Sequence, residues 1–116
     1  MDNEISYALK MQELRSNKVS REQMMEWIEN ALSKENERIG YGATKVRTSE
    51  DWNDESDYIW LSGESYDTYK GDTIYSYYSE SSKYEFGVLN TWENELKKRG
   101  WYSQWYDSGT IMIYPI

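Results

Sequence analysis

The C-terminal stretch Trp101-Tyr102-Ser103-Gln104-Trp105-Tyr106-Asp107-Ser108-Gly109-Thr110-Ile111-Met112-Ile113-Tyr114 reads as two strands around a polar turn. Asp107, Ser108 and Gly109 are residues that tolerate the positive φ of tight hairpins. Ile111-Met112-Ile113 is the most apolar segment of the chain and presents apolar groups on both faces of a strand. Such a strand belongs at the centre of a sheet, with Pro115 expected beyond the ladder, where its missing N–H does no harm. Upstream, Lys45-Val46-Arg47-Thr48, Tyr58-Ile59-Trp60-Leu61 and Thr73-Ile74-Tyr75-Ser76-Tyr77-Tyr78 follow a period of two between polar or Gly-containing stretches. Together these runs predict a mainly antiparallel sheet of about five strands. Tyr58 and Trp60 alternate with Ile59 and Leu61, and Tyr102 and Tyr106 with Trp101 and Trp105, so a Tyr-rich face is expected opposite the helix-covered one.

Helices flank these strands. In Val19-Ser20-Arg21-Glu22-Gln23-Met24, Ser20 and Gln23 have the spacing of a capping box. Met24, Trp27, Ile28, Ala31 and Leu32 then form a stripe that ends near Ile39-Gly40. Ile5, Ala8, Leu9 and Leu14 suggest a shorter helix before it. Ser82 and Glu85 offer a second capping box, followed by Val88, Leu89, Trp92 and Leu96 at helical spacing and a stop at Lys97-Lys98-Arg99-Gly100. Trp101, packing back on Leu96, is read as structural. The predicted order is α-α-β-β-β-α-β-β, a single α+β domain over residues 1–116 with two N-terminal helices and one helix before the C-terminal hairpin.

Composition refines the class. Leu, Ile, Val and Phe number 18 of 116 residues, a low share that with a net charge of −8 points towards disorder. The 12 Tyr and 6 Trp reverse that inference, because large rings bury apolar area while their polar edges find partners. No Cys and no His are present, which removes disulfides, thiol chemistry, the usual near-neutral base and the commonest metal ligands. The acidic Met1-Asp2-Asn3-Glu4 is unlike a secretory signal and no apolar run approaches the roughly 20 residues of a membrane span, so a cytoplasmic location is expected, with no membrane partner.

The charge is concentrated. Residues 50–80 hold nine acids, Glu50, Asp51, Asp54, Glu55, Asp57, Glu64, Asp67, Asp72 and Glu80, against Lys70 alone, whereas the flanking segments are each neutral. Eight of the eighteen Trp and Tyr residues lie in the same stretch. An acidic block creates a directional field that repels nucleic acid and accelerates encounter with a basic partner, while Tyr and Trp anchor interfaces at low entropic cost.

Catalytic and cofactor motifs are weak by comparison. Asp51, Asn53, Glu55 and Asp57 alternate like the start of a calcium loop, yet Ser56 stands where Gly is needed and Ser62 where a bidentate Glu belongs. Gly40-Tyr41-Gly42 lacks the rest of a phosphate-binding motif. Carboxylate pairs such as Glu64 with Asp67, or Asp72 with Glu80, are compatible with glycoside hydrolysis, but their separation is not set by sequence. No catalytic residue, metal ligand or cofactor is assigned.

The order helix, three strands, helix over residues 20–99 resembles that of double-stranded-RNA-binding domains. The places that carry basic residues in such domains hold Ser81-Ser82-Lys83-Tyr84-Glu85 and Glu50-Asp51-Trp52-Asn53-Asp54-Glu55 here, so direct nucleic-acid binding is not expected. The leading expectation is a non-catalytic, acidic protein-binding module. It would occupy a basic surface of another protein, in particular a nucleic-acid-binding one, with carboxylates standing in for phosphates. Small size, missing catalytic side chains and lopsided acidity are also the character of inhibitors encoded by viruses and mobile elements. The expected contact residues are Glu50, Asp51, Trp52, Asp54, Glu55, Asp57, Glu64, Tyr66, Asp67, Tyr69 and Asp72. The alternatives are a small-ligand or carbohydrate-binding module using a Tyr/Trp face, and a carboxylate-based hydrolase.

Overall fold

The computed structural model describes residues 18–39, 46–53, 56–64 and 67–116, with backbone alone over 33–39. The short helix expected around Leu9 and the turn expected at Gly40-Tyr41-Gly42 lie outside the described residues, as do Asp54, Glu55 and Tyr66. Helix α1 runs over Arg21–Ile39. Its capping box forms: Ser20 Oγ accepts the Gln23 N–H at 3.1 Å and Gln23 Oε1 accepts the Ser20 N–H at 2.9 Å. Met24, Ile28 and Leu32 on its inner stripe are fully buried.

Four strands, β1 (Arg47–Thr48), β2 (Ile59–Ser62), β7 (Trp101–Asp107) and β8 (Thr110–Pro115), make one antiparallel sheet in the order β1-β2-β8-β7. Strand β8 is interior, as its two-sided apolarity predicts, and Ile111, Met112 and Ile113 are all buried. Ile59 and Leu61 lie opposite Ile113 and Ile111 and share the main core with α1. Pro115 is not beyond the ladder: it is the last residue of β8, opposite Trp101. Pairing with β2 has already ended at Ile113, so the missing N–H removes no bond on that side.

The segment 73–78 is not a fifth strand of this sheet. Asp72–Thr73 (β4) pairs instead with Thr68–Tyr69 (β3), and Tyr75 makes a single bridge to Val88. The reason lies in Tyr75: its ring is buried and its hydroxyl accepts the Trp92 indole N–H at 2.9 Å and bonds Ser103 Oγ at 3.0 Å. That commitment docks the segment beneath the second helix, α2 (Asn90–Lys98), rather than alongside β2.

The second capping box also does not form. Tyr84–Glu85 (β5) and Val88–Leu89 (β6) pair as a tight hairpin through Phe86 and Gly87, with φ of 50° and 75°. Left-handed geometry at both central residues is the requirement of a type I′ turn, so Val88 and Leu89 belong to a strand and α2 starts only at Asn90. Trp92 and Leu96 fill the core from α2, which stops at Gly100 with φ of 84°. Trp101 is fully buried with them and donates its indole N–H to the Val19 carbonyl at 3.0 Å. The chain is thus α+β with two helices and small antiparallel sheets among the described residues. None of the described helices is long and apolar enough to cross a membrane.

Candidate functional site

The acids of the middle segment fall into different environments. Arg21, in the first turn of α1, grips Glu50 through Nη2–Oε1 and Nη1–Oε2 bonds of 2.9 and 3.0 Å, and its Nε reaches Asp57 at 3.3 Å. The hydrogen bond from Arg21 is the main cause that pushes the Glu50 carboxyl down to about 2, and the same bond raises the guanidinium. Asp72 pairs with Lys83 at 3.2 Å. Asp67 is buried, and Tyr69 is half-buried with its ring 5.5 Å from that of Trp92 and 6.3 Å from that of Trp27. Asp51, Trp52 and Glu64 remain at the surface, and neither Asp51 nor Glu64 forms an ion pair among the described residues. Of the described contact residues expected from sequence, Asp67 and Tyr69 are thus turned inward and Glu50, Asp57 and Asp72 are ion-paired, which leaves Asp51, Trp52 and Glu64 open at the surface.

A different gathering takes their place, built by the β7–β8 hairpin. The carboxylate of Asp107 accepts the Gly109 N–H at 2.9 Å and closes the turn, with no left-handed residue in it. Trp105 pairs with Ile111 and Asp107 with Thr110, so the intervening Tyr106 is a bulge without a partner on β8. Bulges re-aim side chains, and this one leaves Tyr106 63 % exposed. Trp105 and Tyr106 are the foci on which the other exposed rings converge. Trp52 lies 5.8 Å from Tyr106 and edge-on to Trp60 at 5.2 Å. Tyr77 meets Trp105 edge-on at 5.0 Å and Tyr78 at 4.9 Å. The backbone carbonyl of Phe86 accepts the Trp105 indole N–H at 2.7 Å. Trp52, Tyr77, Tyr78, Phe86 and Tyr106 are the large hydrophobic side chains left exposed among the described residues; Trp52 meets Tyr106, Tyr77 meets Trp105 and carries Tyr78, and Phe86 is joined to Trp105 through its backbone carbonyl alone.

Trp52 and Tyr106 belong to the sheet face turned away from the helices, which continues through Trp60, Met112, Tyr58, Tyr114 and Tyr102. This is the Tyr-rich face expected from strand alternation, and Arg47 stacks over Trp60 there at 5.1 Å. On the other side of the hairpin, Glu64, Tyr77, Tyr78, Tyr84, Ser79 and Ser108 help to line an open groove of about 780 Å³. Asp51, Glu64, Glu85 and Asp107 stand beside these aromatics in sequence or space; a Cβ placed on Gly109 would lie 3.3 Å from the Glu64 carboxylate.

A smaller cleft of about 350 Å³ separates α2 from the free edge of β7. Both oxygens of Glu93 reach the outward Ser103 N–H there, at 3.0 and 3.2 Å, and burial pushes the carboxyl up. The carboxylate occupies a ladder position that another strand would use, which blunts the edge. No group of three Asp, Glu, His or Cys residues that could hold a metal occurs among the described residues. Of the carboxylate pairs considered for hydrolysis, one includes the buried Asp67 and the other the Lys83-bound Asp72.

Sequence reading placed Tyr106 on the Tyr-rich face but did not single out Tyr77, Tyr78, Phe86, Trp105 or Tyr106 as contact residues. The available signal was local: an aromatic doublet immediately before the Asp107-Ser108-Gly109 turn, and a Phe-Gly dipeptide with turn potential. No protein-family model, curated protein or solved structure matches this chain.

Proposed function

We propose that this chain is a non-catalytic binding module, acting in the cytoplasm, that inhibits a basic, nucleic-acid-binding protein by occupying its surface. The observation that carries the reading is the exposed aromatic surface of the β7–β8 hairpin, with Trp52 against Tyr106 on one side and Tyr78 against Tyr77, which meets Trp105, on the other. Scattered exposed rings need no explanation, whereas a cluster rimmed by polar groups is a feature of interaction sites. Tyr and Trp supply the rigid, amphipathic area that dominates interface energetics. Asp51, Glu64, Glu85 and Asp107 around them favour a cationic partner, and the net charge of −8 steers its approach. Glu50, Asp57 and Asp72 contribute less to that field, because Glu50 and Asp57 share the charge of Arg21 and Asp72 pairs with Lys83.

The test is parallel capture from cell lysate with the native chain and with Tyr106→Ala and Trp52→Ala variants, read by mass spectrometry. Basic nucleic-acid-binding proteins retained by the native form and lost with either variant support the module. Identical captured sets for all forms, or a set without basic proteins, overturn it.

A further inference from the structure

Resting on that reading, we infer that the groove between Glu64 and the Tyr77-Tyr78 pair is the anchor pocket for an arginine side chain of the partner. Its volume of about 780 Å³ falls in the range of roughly 300–1,000 Å³ usual for ligand clefts. The lining is rich in hydroxyl groups and rings, from Thr73, Ser76, Ser79, Ser108 and four tyrosines, and among the described residues its one charged side chain is Glu64. Among the described residues no Lys or Arg lines the groove, and the nearby Lys83 is engaged by Asp72. The groove therefore offers a carboxylate acceptor and aromatic faces, with no cation among the described residues that line it.

A guanidinium matches that combination better than the alternatives. Its planar, weakly hydrated fork stacks on a ring while its N–H groups bond a carboxylate, whereas an ammonium is a compact and strongly hydrated point charge. Tyr78 is 83 % exposed and Tyr77 braces it edge-on, with an interplanar angle of 77°. Tyr77 is itself braced against Trp105 at 86°. The wall is thus held before a ligand arrives, which limits the entropy lost on binding. Tyr84 is fixed by donating its hydroxyl to the Thr73 carbonyl at 2.6 Å. A neutral sugar could use the rings, but would leave the negative charge of Glu64 without a counterpart.

The experiment titrates the full chain with a capped Gly-Arg-Gly-Arg-Gly peptide, its lysine and citrulline counterparts, and a neutral glucose oligosaccharide, following amide and Tyr ring resonances. The arginine peptide is expected to shift signals of Glu64, Tyr77 and Tyr78 and to bind about threefold or more tighter than the lysine peptide. Glu64→Gln should weaken it about fivefold, and Tyr78→Ala about threefold. Glu29→Gln, the same charge change on α1, serves as the control. Both tested side chains are exposed, and an unchanged spectrum away from the groove verifies the fold of each variant.

Arginine-peptide binding that leaves the groove resonances and Glu64→Gln affinity unaltered overturns the pocket while leaving the aromatic module intact. Failure of every cationic peptide, with basic proteins still captured through Tyr106, does the same. Oligosaccharide binding in the groove overturns the pocket. If neither cationic peptides nor basic proteins bind, both readings fall.

Discussion

Arg21 and Glu50, 29 residues apart in sequence, are joined by two guanidinium–carboxylate bonds of 2.9 and 3.0 Å that tie the start of α1 to the 3-10 turn Ser49–Trp52. The turn carries Trp52, so this ion pair also positions one ring of the exposed cluster. The Glu50 carboxyl falls from an ordinary value of 4.5 to about 2, chiefly through the hydrogen bond from Arg21. A depressed folded-state value adds stability above the unfolded value and loses it as pH falls through the folded one. Urea midpoints should therefore drop between about pH 4.5 and pH 2 in the native chain, with a shallower drop in Glu50→Gln. The two forms should differ most at neutral pH and converge near pH 2; parallel acid limbs would contradict the assignment.

Tyr75 and Trp92 make the second long-range polar link, and this one is buried. Tyr75→Phe keeps the ring but strands the Trp92 indole N–H and removes the partner of Ser103 Oγ. Leaving a buried donor unmatched costs about 1–3 kcal/mol. The expected result is a two-state denaturation curve displaced by that amount, with altered Trp fluorescence in the native baseline. A displacement near zero would mean that water or another acceptor replaces the hydroxyl.

Glu93 behaves in the opposite sense to Glu50. Burial raises its carboxyl, so the folded state binds the proton more tightly than the unfolded chain does. Its contribution is most favourable below the ordinary carboxylate range and is lost as pH rises through the raised folded value. Glu93→Gln retains a carbonyl to accept the Ser103 N–H and has no charge to desolvate. It should match the native protein at low pH and become relatively more stable as pH rises. Denaturation at several pH values decides this, and a variant less stable at neutral pH would show that the charge itself holds β7.

These contacts mark what a linear reading can reach. The capping box at Ser20 and Gln23 lies within one turn, and the buried centre of β8 follows from Ile111-Met112-Ile113 having no polar face. The alternation over 73–78 predicted a strand, but pairing there is confined to Thr73 in β4 and the single bridge at Tyr75, and Tyr77-Tyr78 lie in a turn; a period of two carries no information on which ladder, if any, a segment joins. At Ser82 and Glu85, two local codes competed, and the Phe86-Gly87 turn prevailed over the cap. The site was least legible. Charge density along the chain did not reveal that Arg21 reaches across to Glu50 and Asp57, or that Asp67 and Tyr69 turn inward. The exposed rings depend on a bulge at Tyr106 and on contacts made from three separate segments, at Trp52, Tyr77-Tyr78 and Trp105-Tyr106.

Phe86 offers the sharpest separation of stability from binding. It has a φ of 50°, unfavourable for a residue with a Cβ, and its ring is 88 % exposed, so packing does not compensate. Only its backbone carbonyl is engaged, by Trp105. Phe86→Asn would create the Asn-Gly pair that type I′ turns favour while keeping that carbonyl in place. The variant is expected to gain about 0.5–1 kcal/mol in urea denaturation, the scale of relieving left-handed strain at one position. Gly87 must be left alone, since a Cβ there would stand 2.9 Å from Tyr77 Cα. If the ring serves the proposed interface, the stabilised variant captures the basic partner less well than the native chain. A gain in stability with undiminished capture would exclude Phe86 from the contact surface, and a loss of stability would show that its ring supports the hairpin.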